Sequence, residues 1–261
     1  MNMLSTLPVQ PDAPVPVAST PETPGVSIVT AATLLLPHLE RGARIDATIL
    51  RAVMETAFFD TDATGRWDWK TAYDACEAAT VLFLRKHGPA LFRKATTPAA
   101  RLRLLDRIAA LMPTHTRRSE ESRDLQQFST PIGLGLAAAT AAAITPDDLV
   151  LEPSAGTGLL AIFAERAGAG LMLNELAEDR SGLLAALFPD IPVTRFDAAQ
   201  IDDHLDPSLT PSVVLMNPPF STLAEVKGRV ADAGPPCRLG ARASRCRRAI
   251  GGDHRRRLRA G

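Results

Sequence analysis

The chain has 261 residues, 46% of them hydrophobic, which is enough for one good core and a small appendage. Its formal charge is zero, but nine arginines and one acid lie between Gly234 and Gly261, leaving 20 basic and 28 acidic residues elsewhere; the organised part therefore lacks the basic footprint of an autonomous DNA binder. Cys76, Cys237 and Cys246 have neither metal-ligand spacing nor a disulfide framework, the start MNMLSTLPVQ is no secretory signal, and no apolar run reaches membrane-spanning length, so a soluble cytoplasmic protein without a metal is expected.

Five prolines between Pro8 and Pro21 interrupt a stretch rich in Thr, Ser and Val. Proline ends helices and removes ladder donors, so residues 1–25 are expected to be a disordered arm. From Val26 to about Gln127 the pattern is helical and predicts a cap over 26–127. In RIDATILRAVMETAF, Ile45, Ile49, Val53 and, less regularly, Phe58 recur near one face. TAYDACEAATVLFLRKHG reads as a longer helix stopped by Gly88 and Pro89. TTPAARLRLLDRIAALMP has a Thr97 cap, Pro98 in the first turn, and the stripe Leu102, Leu105, Ile108, Leu111 before Pro113. These stripes read as core rather than as cofactor contacts.

At Leu149 the period changes. LVLEP is a short apolar run closed by proline, and AGTGLLAIFAERAG a glycine turn that continues as a helix. LMLNE, PVTRFDA and SVVLMN are further strands, with the helix AEDRSGLLAALFP after the first of them. Strands alternating with helices across short loops predict right-handed crossovers and a mostly parallel sheet, hence an α/β fold.

The chemistry gathers at the strand ends. Glu152-Pro153-Ser154-Ala155-Gly156-Thr157-Gly158 sits at a strand-to-helix junction, where glycines let the backbone turn sharply and approach a ligand. No GK[ST] follows and the third glycine of the dinucleotide fingerprint is missing, so the loop suits a ligand without a pyrophosphate. Glu175 ends the second strand, where a carboxylate can accept from both ribose hydroxyls; Asp197 follows the third, where one can accept from an adenine amino group. Alone, each acid is as well explained as a solvated strand end. In register on successive strands, they point to the crevice where doubly wound folds bind ligands. Asn217-Pro218-Pro219-Phe220 ends the fourth strand. The Asn217 oxygen and the Pro218 carbonyl can each accept from an exocyclic amino group. Phe220 offers a face for an unstacked base, and the prolines hold the acceptors in place before binding.

NPPF resembles the amino-methyltransferase signature [DNS]PP[YFW]. LEPSAGTG resembles the glycine-rich motif of class I S-adenosylmethionine-dependent methyltransferases, and Gln127-Phe128-Ser129-Thr130-Pro131 the QF[SYT]TP motif of adenine-N6 enzymes. The order QFSTP, EPSAGTG, NE, FD, NPPF matches the adenine-N6 arrangement. The resemblance implies a truncated Rossmann-like methyltransferase sheet over 128–233, preceded by the helical cap. It implies S-adenosylmethionine held by Phe128, Thr130, Glu152, Pro153, Ser154, Gly156, Gly158, Glu175 and Asp197, with Asn217, Pro218, Pro219 and Phe220 holding the target base. WDWKTAYDACEAA and THTRRSEESRDLQQFSTPIGLG resemble the amino-terminal portion of bacterial strawberry-notch-type proteins, which implies DNA as partner and a helicase-like region in a longer relative. Beside this reading stand two others: a non-catalytic cofactor- or DNA-binding module, and methylation of a protein glutamine. His115, Arg117 and Arg118 could approach the site, although a solvated charged helix explains them more simply.

The resemblance covers residues 26–233, with four strands where the family has seven. GPPCRLGARASRCRRAIGGDHRRRLRAG has neither a helical stripe nor a strand pattern. Shifted by one base, permitted codons read ARHAASARALRAAGGRLVAITGAGFAP, which supplies a helix, a glycine turn and a strand. Residues 234–261 are therefore expected to be a disordered, out-of-frame tail, leaving the fourth strand as an uncovered edge and the chain with little activity. A natural basic tail that binds nucleic acid is the competing reading.

Overall fold

Asp46, Asp68 and Thr97 each stand in extended conformation before an apolar run, and each side chain accepts from backbone N–H groups of the turn that follows. Such caps satisfy donors that a first helical turn leaves unpaired. The computed structural model describes residues 24–113, 129–217 and 247–250. Helices α1 (Pro24–Glu40), α2 (Ala47–Phe58), α3 (Trp69–Lys94), α4 (Pro98–Ala109) and α5 (Ile132–Ala141) come first. Then follow β1 (Leu149–Glu152), α6 (Ala161–Ala167), β2 (Gly170–Asn174), α7 (Glu178–Leu187), β3 (Val193–Thr194), α8 (Ile201–His204), β4 (Val213–Met216) and β5 (Arg247–Ile250). Residues 1–23 of the expected arm, His115, Arg117 and Arg118 lie outside the described residues; the arm's expected end at residue 25 is corrected, because Pro24 and Gly25 already belong to α1, where Gly25 is buried against the Gly182 backbone.

Two helical expectations are corrected. The buried face of α2 is Leu50, Met54, Ala57 and Phe58, while Ile49 and Val53 are only partly covered and Ile45 is buried ahead of the helix. Nor does α3 stop at Gly88-Pro89; it continues to Lys94. Proline removes one rung of the helix ladder. Here α6 docks against that turn and supplies other bonds. A Cβ on Gly88 would collide with the Arg166 guanidinium, and Arg166 uses the gap to donate to the Leu84 carbonyl at 3.1 Å. One turn earlier, Arg85 closes a two-pronged pair on Glu165 at 2.7 and 2.6 Å. Tertiary hydrogen bonding thus overrides the local stop signal.

The strands form one parallel sheet in the order β3-β2-β1-β4-β5. Leu149 to Glu152 face Gly170 to Leu173 across β1 and β2, and Val150 pairs with Val213 of β4. The chain is therefore an α/β protein with a Rossmann-like sheet. Its topological switch lies between β1 and β4, where such sheets open a crevice at their carboxyl ends. The expectation of an uncovered β4 edge is corrected: β5 runs parallel to β4, with Arg247 opposite Val213 and Ile250 opposite Met216. Ladder bonds join backbone groups, so a segment without a strand pattern can satisfy an open edge. Helices and sheet share one core, in which Ile28, Leu35 and Leu84 belong to the same cluster as Val150, Ile162, Leu183 and Val213. Among the described residues no helix is long and apolar enough to cross a membrane.

Candidate functional site

The turn after β1 takes two left-handed steps, Gly156 at φ +58° and Gly158 at φ +84°. They differ in purpose. A Cβ on Gly158 would lie 2.7 Å from the Phe188 ring, so this glycine lets the loop pack on the end of α7. A Cβ on Gly156 would meet only the Arg180 guanidinium, at 3.9 Å, and this residue lines a cavity. Glu175, the residue after β2, clamps the loop from the side. Its carboxylate accepts from the Gly156 N–H at 2.8 Å and from the Ala177 N–H at 3.0 Å, tying the glycine turn to the start of α7.

Asn174, the last residue of β2, holds three strand ends together. Its Nδ2 donates to the Pro153 and Phe196 carbonyls, both at 2.8 Å, and its Oδ1 accepts from the Phe196 N–H and the Thr194 hydroxyl, both at 2.8 Å. The side chain is 1% exposed, so these bonds form where water cannot replace them. The alignment of the tips of β1, β2 and β3 thus depends on one buried amide. Asp197, beyond β3, accepts from the Ala199 N–H at 2.9 Å and caps a short 3-10 turn. Phe196 beside it stacks on His204 with ring centres 4.1 Å apart. Beyond β4, the Asn217 Nδ2 donates to the Thr130 hydroxyl at 3.1 Å. That contact anchors the Asn217 side chain at the cavity wall.

One cavity collects these features. Thr130, Pro153, Ser154, Gly156, Glu175, Asp197 and Asn217 all line it. Glu152 and Gly158 do not. Glu152 lies buried under the loop, 1% exposed, with Oε2 lacking a hydrogen-bond partner. Burial pushes its carboxyl well above the ordinary range, and the nearby Glu175 charge adds to this, while the Ala161 N–H works against it. Phe128, Pro218, Pro219 and Phe220 lie outside the described residues.

The cavity also contains residues that sequence reasoning missed. Glu77 reaches it from α3 and its Oε2 accepts from the Thr157 hydroxyl at 2.5 Å. Arg180 reaches it from α7 and grips Asp74 of α3 through Nη2 at 2.8 Å and Nε at 3.2 Å. Burial opposes the guanidinium charge, but Asp74, then Glu77 and Glu175, hold it above its ordinary pKa. Lys70 lies 3.8 Å from the same Asp74. A signal for this cluster existed: Lys70, Asp74 and Glu77 recur at helical spacing in an otherwise apolar run of alanines, where a buried helix would carry no charge.

The fold and the gathered strand tips define a Rossmann-like protein with a ligand cavity at the carboxyl ends of its strands. No family model matches the chain, and no curated protein matches it. Among solved structures it is similar to the crystal structure of a putative RNA methyltransferase from Pyrococcus horikoshii, with 21% identity and a TM-score of 0.36 over 46% of this chain. The match spans 59% of that protein's length. The fold assignment rests on the strand order and register described above.

Proposed function

We propose that the chain carries an S-adenosylmethionine-dependent methyltransferase domain acting on an amino nitrogen, with adenine N6 of DNA as acceptor. The observation that carries this reading is that Asn217 shares one cavity with Gly156, Glu175 and Asp197. The lining suits such a donor. Three carboxylates, Glu77, Glu175 and Asp197, face one guanidinium, Arg180, whose fork already closes on Asp74. That balance disfavours phosphates and favours hydroxyls, amines and cations. Glu175 would hold the ribose, Asp197 the adenine edge, and Gly156 would admit the donor without a Cβ in the way. S-adenosylmethionine, when bound, supplies an electrophilic methyl group.

The protein's own share is orientation. The Asn217 side chain, anchored by the Thr130 contact, would turn its oxygen to the target amine and aim the amine's lone pair; the Pro218 carbonyl would take the second hydrogen. The lone pair of the target amino group is delocalised into the ring, so two acceptors that polarise the amine and turn that pair toward the methyl group contribute by positioning, and the surplus N–H proton passes to solvent after transfer, without a strong general base. DNA is the proposed partner, with a helicase-like region as the context of a longer relative.

The test is calorimetric titration of the full chain with S-adenosylmethionine, followed by tritium-methyl transfer to adenine-containing DNA. Binding by the wild type, at least about tenfold weaker in Asp197→Ala, is expected from loss of a charged hydrogen-bond acceptor. Absence of wild-type binding refutes the reading. Binding without transfer supports the non-catalytic module instead, and label entering a glutamine-containing peptide rather than DNA reassigns the acceptor.

A further inference from the structure

We infer that the corner formed by the end of α3 and by α4 is the surface through which the protein holds the phosphate backbone of its DNA beside the cavity. The inference rests on the methyltransferase reading and names where that domain grips its acceptor. The acid surplus outside the tail hides one local exception. From Arg93 to Arg107 there are five cations, Arg93, Lys94, Arg101, Arg103 and Arg107, and one acid, Asp106. Arg93, Lys94, Arg103 and Arg107 are exposed, and among the described residues none of them has an ion-pair partner, whereas Arg85 and Arg180 each close on a carboxylate. Arg103 and Arg107 stand one turn apart on α4, where like charges repel. Asp106 pairs with neither: it lies on the side of α4 that meets α5, 3.8 Å from where a Cβ on Gly133 would be.

α6 adds a sixth cation to the corner. Arg166 and Arg101 approach the same Phe92 ring, at 4.7 and 5.4 Å from its centre. Burial, and after it the neighbouring Arg101 charge, lowers the Arg166 pKa, while Glu165 opposes the shift. Glu165 is itself committed to Arg85. Cations gathered without acids suit a polyanion, whose binding also releases counterions. The corner lies where such a substrate is needed. Leu102 of α4 comes within 3.6 Å of a Cβ position on Gly133, in the first turn of α5. That helix follows Thr130, which lines the cavity and contacts Asn217 at 3.1 Å. The helix carrying the cations thus abuts the element that starts at the Asn217 end of the cavity. The carboxylates inside the cavity repel phosphate, so the charges divide the work: backbone on the outer corner, base within.

The test measures binding of the full-length protein to a fluorescein-labelled, adenine-containing DNA duplex by anisotropy, between about 50 and 200 mM salt. The double variant Arg103→Ala/Arg107→Ala is expected to bind about tenfold more weakly or worse, and to lower the slope of log K against log salt by about two, one for each phosphate contact removed. Affinity for S-adenosylmethionine, set by the cavity, should stay within about twofold of wild type. An unchanged slope overturns the inference. So does a wild type that binds no DNA, or a loss that appears only when Arg255, Arg256 and Arg257 of the tail are replaced. Duplex RNA held more tightly than DNA through the same arginines overturns DNA as the partner. The expected loss in a protein that binds no S-adenosylmethionine upholds the surface and refutes the methyltransferase reading instead. Should the alanine pair fail to fold, Arg93→Gln/Lys94→Gln must show the same fall in slope, and its absence would again overturn the proposal.

Discussion

Replacing Asn174 with leucine, a side chain of similar size without polar atoms, separates packing from hydrogen bonding at the strand tips. The wild-type amide makes four hydrogen bonds, to the Pro153 and Phe196 carbonyls and from the Phe196 N–H and the Thr194 hydroxyl. Each such bond contributes about 1 kcal/mol net, and a buried group left without its partner costs about 1–3 kcal/mol. Some of the stranded groups would reach water by local opening, which limits the total to roughly 3 kcal/mol. For a chain of this size that corresponds to a fall in Tm of roughly 6–12 °C. Urea denaturation at neutral pH followed by circular dichroism, with a thermal scan beside it, measures both quantities. Because the amide aligns the ends of β1, β2 and β3, the same substitution should weaken donor binding even though Asn174 does not line the cavity. A loss of stability below about 1 kcal/mol, with unchanged affinity, would refute the claim that one amide sets the alignment.

Two further outcomes follow from the site. Glu152 has its folded pKa raised well above the ordinary carboxylate range, first by burial and then by the Glu175 charge. Such a group stabilises fully below its unfolded pKa and loses that contribution as pH rises through the folded one. Wild-type stability should therefore decline above the ordinary carboxylate range, and Glu152→Gln should remove the decline, so that its Tm advantage is greater at pH 8 than at pH 5. An advantage equal at both would show that the acid is not held protonated. Gly158→Ala combines a left-handed φ with a Cβ 2.7 Å from the Phe188 ring, and should destabilise by more than the roughly 1 kcal/mol that the backbone alone exacts in Gly156→Ala. Thermal melts of the two variants decide this, and equal losses would contradict the packing role of Gly158.

How far the sequence could be read depended on the range of each signal. LVLEP, LMLNE and SVVLMN are apolar runs bounded by turns, and each became a strand, because a buried parallel strand needs little more than a short apolar segment with a stop at each end. The Thr97 cap and the Leu105–Ile108 stripe of α4 were legible for the same local reason. The Gly88-Pro89 stop was misread because its override comes from Arg166, on another helix. The β5 pairing could not be anticipated from Arg247–Ile250, since backbone ladders need no particular side chains.

By itself, the sequence determined an alternating α/β chain with a glycine turn, acids and an asparagine at successive strand ends. Period, turn chemistry and capping are all encoded within a few residues. Only the tertiary structure decided that those ends meet in one cavity, that Glu152 and Gly158 lie beneath it, and that a helix read as plain core delivers Glu77. The bond from Thr157 to Glu77 spans 80 residues and that from Arg180 to Asp74 spans 106. An alanine-rich helix is apolar nearly all round, so its own pattern cannot say which side will face the sheet. That is settled when distant elements dock and each buried charge must find its partner.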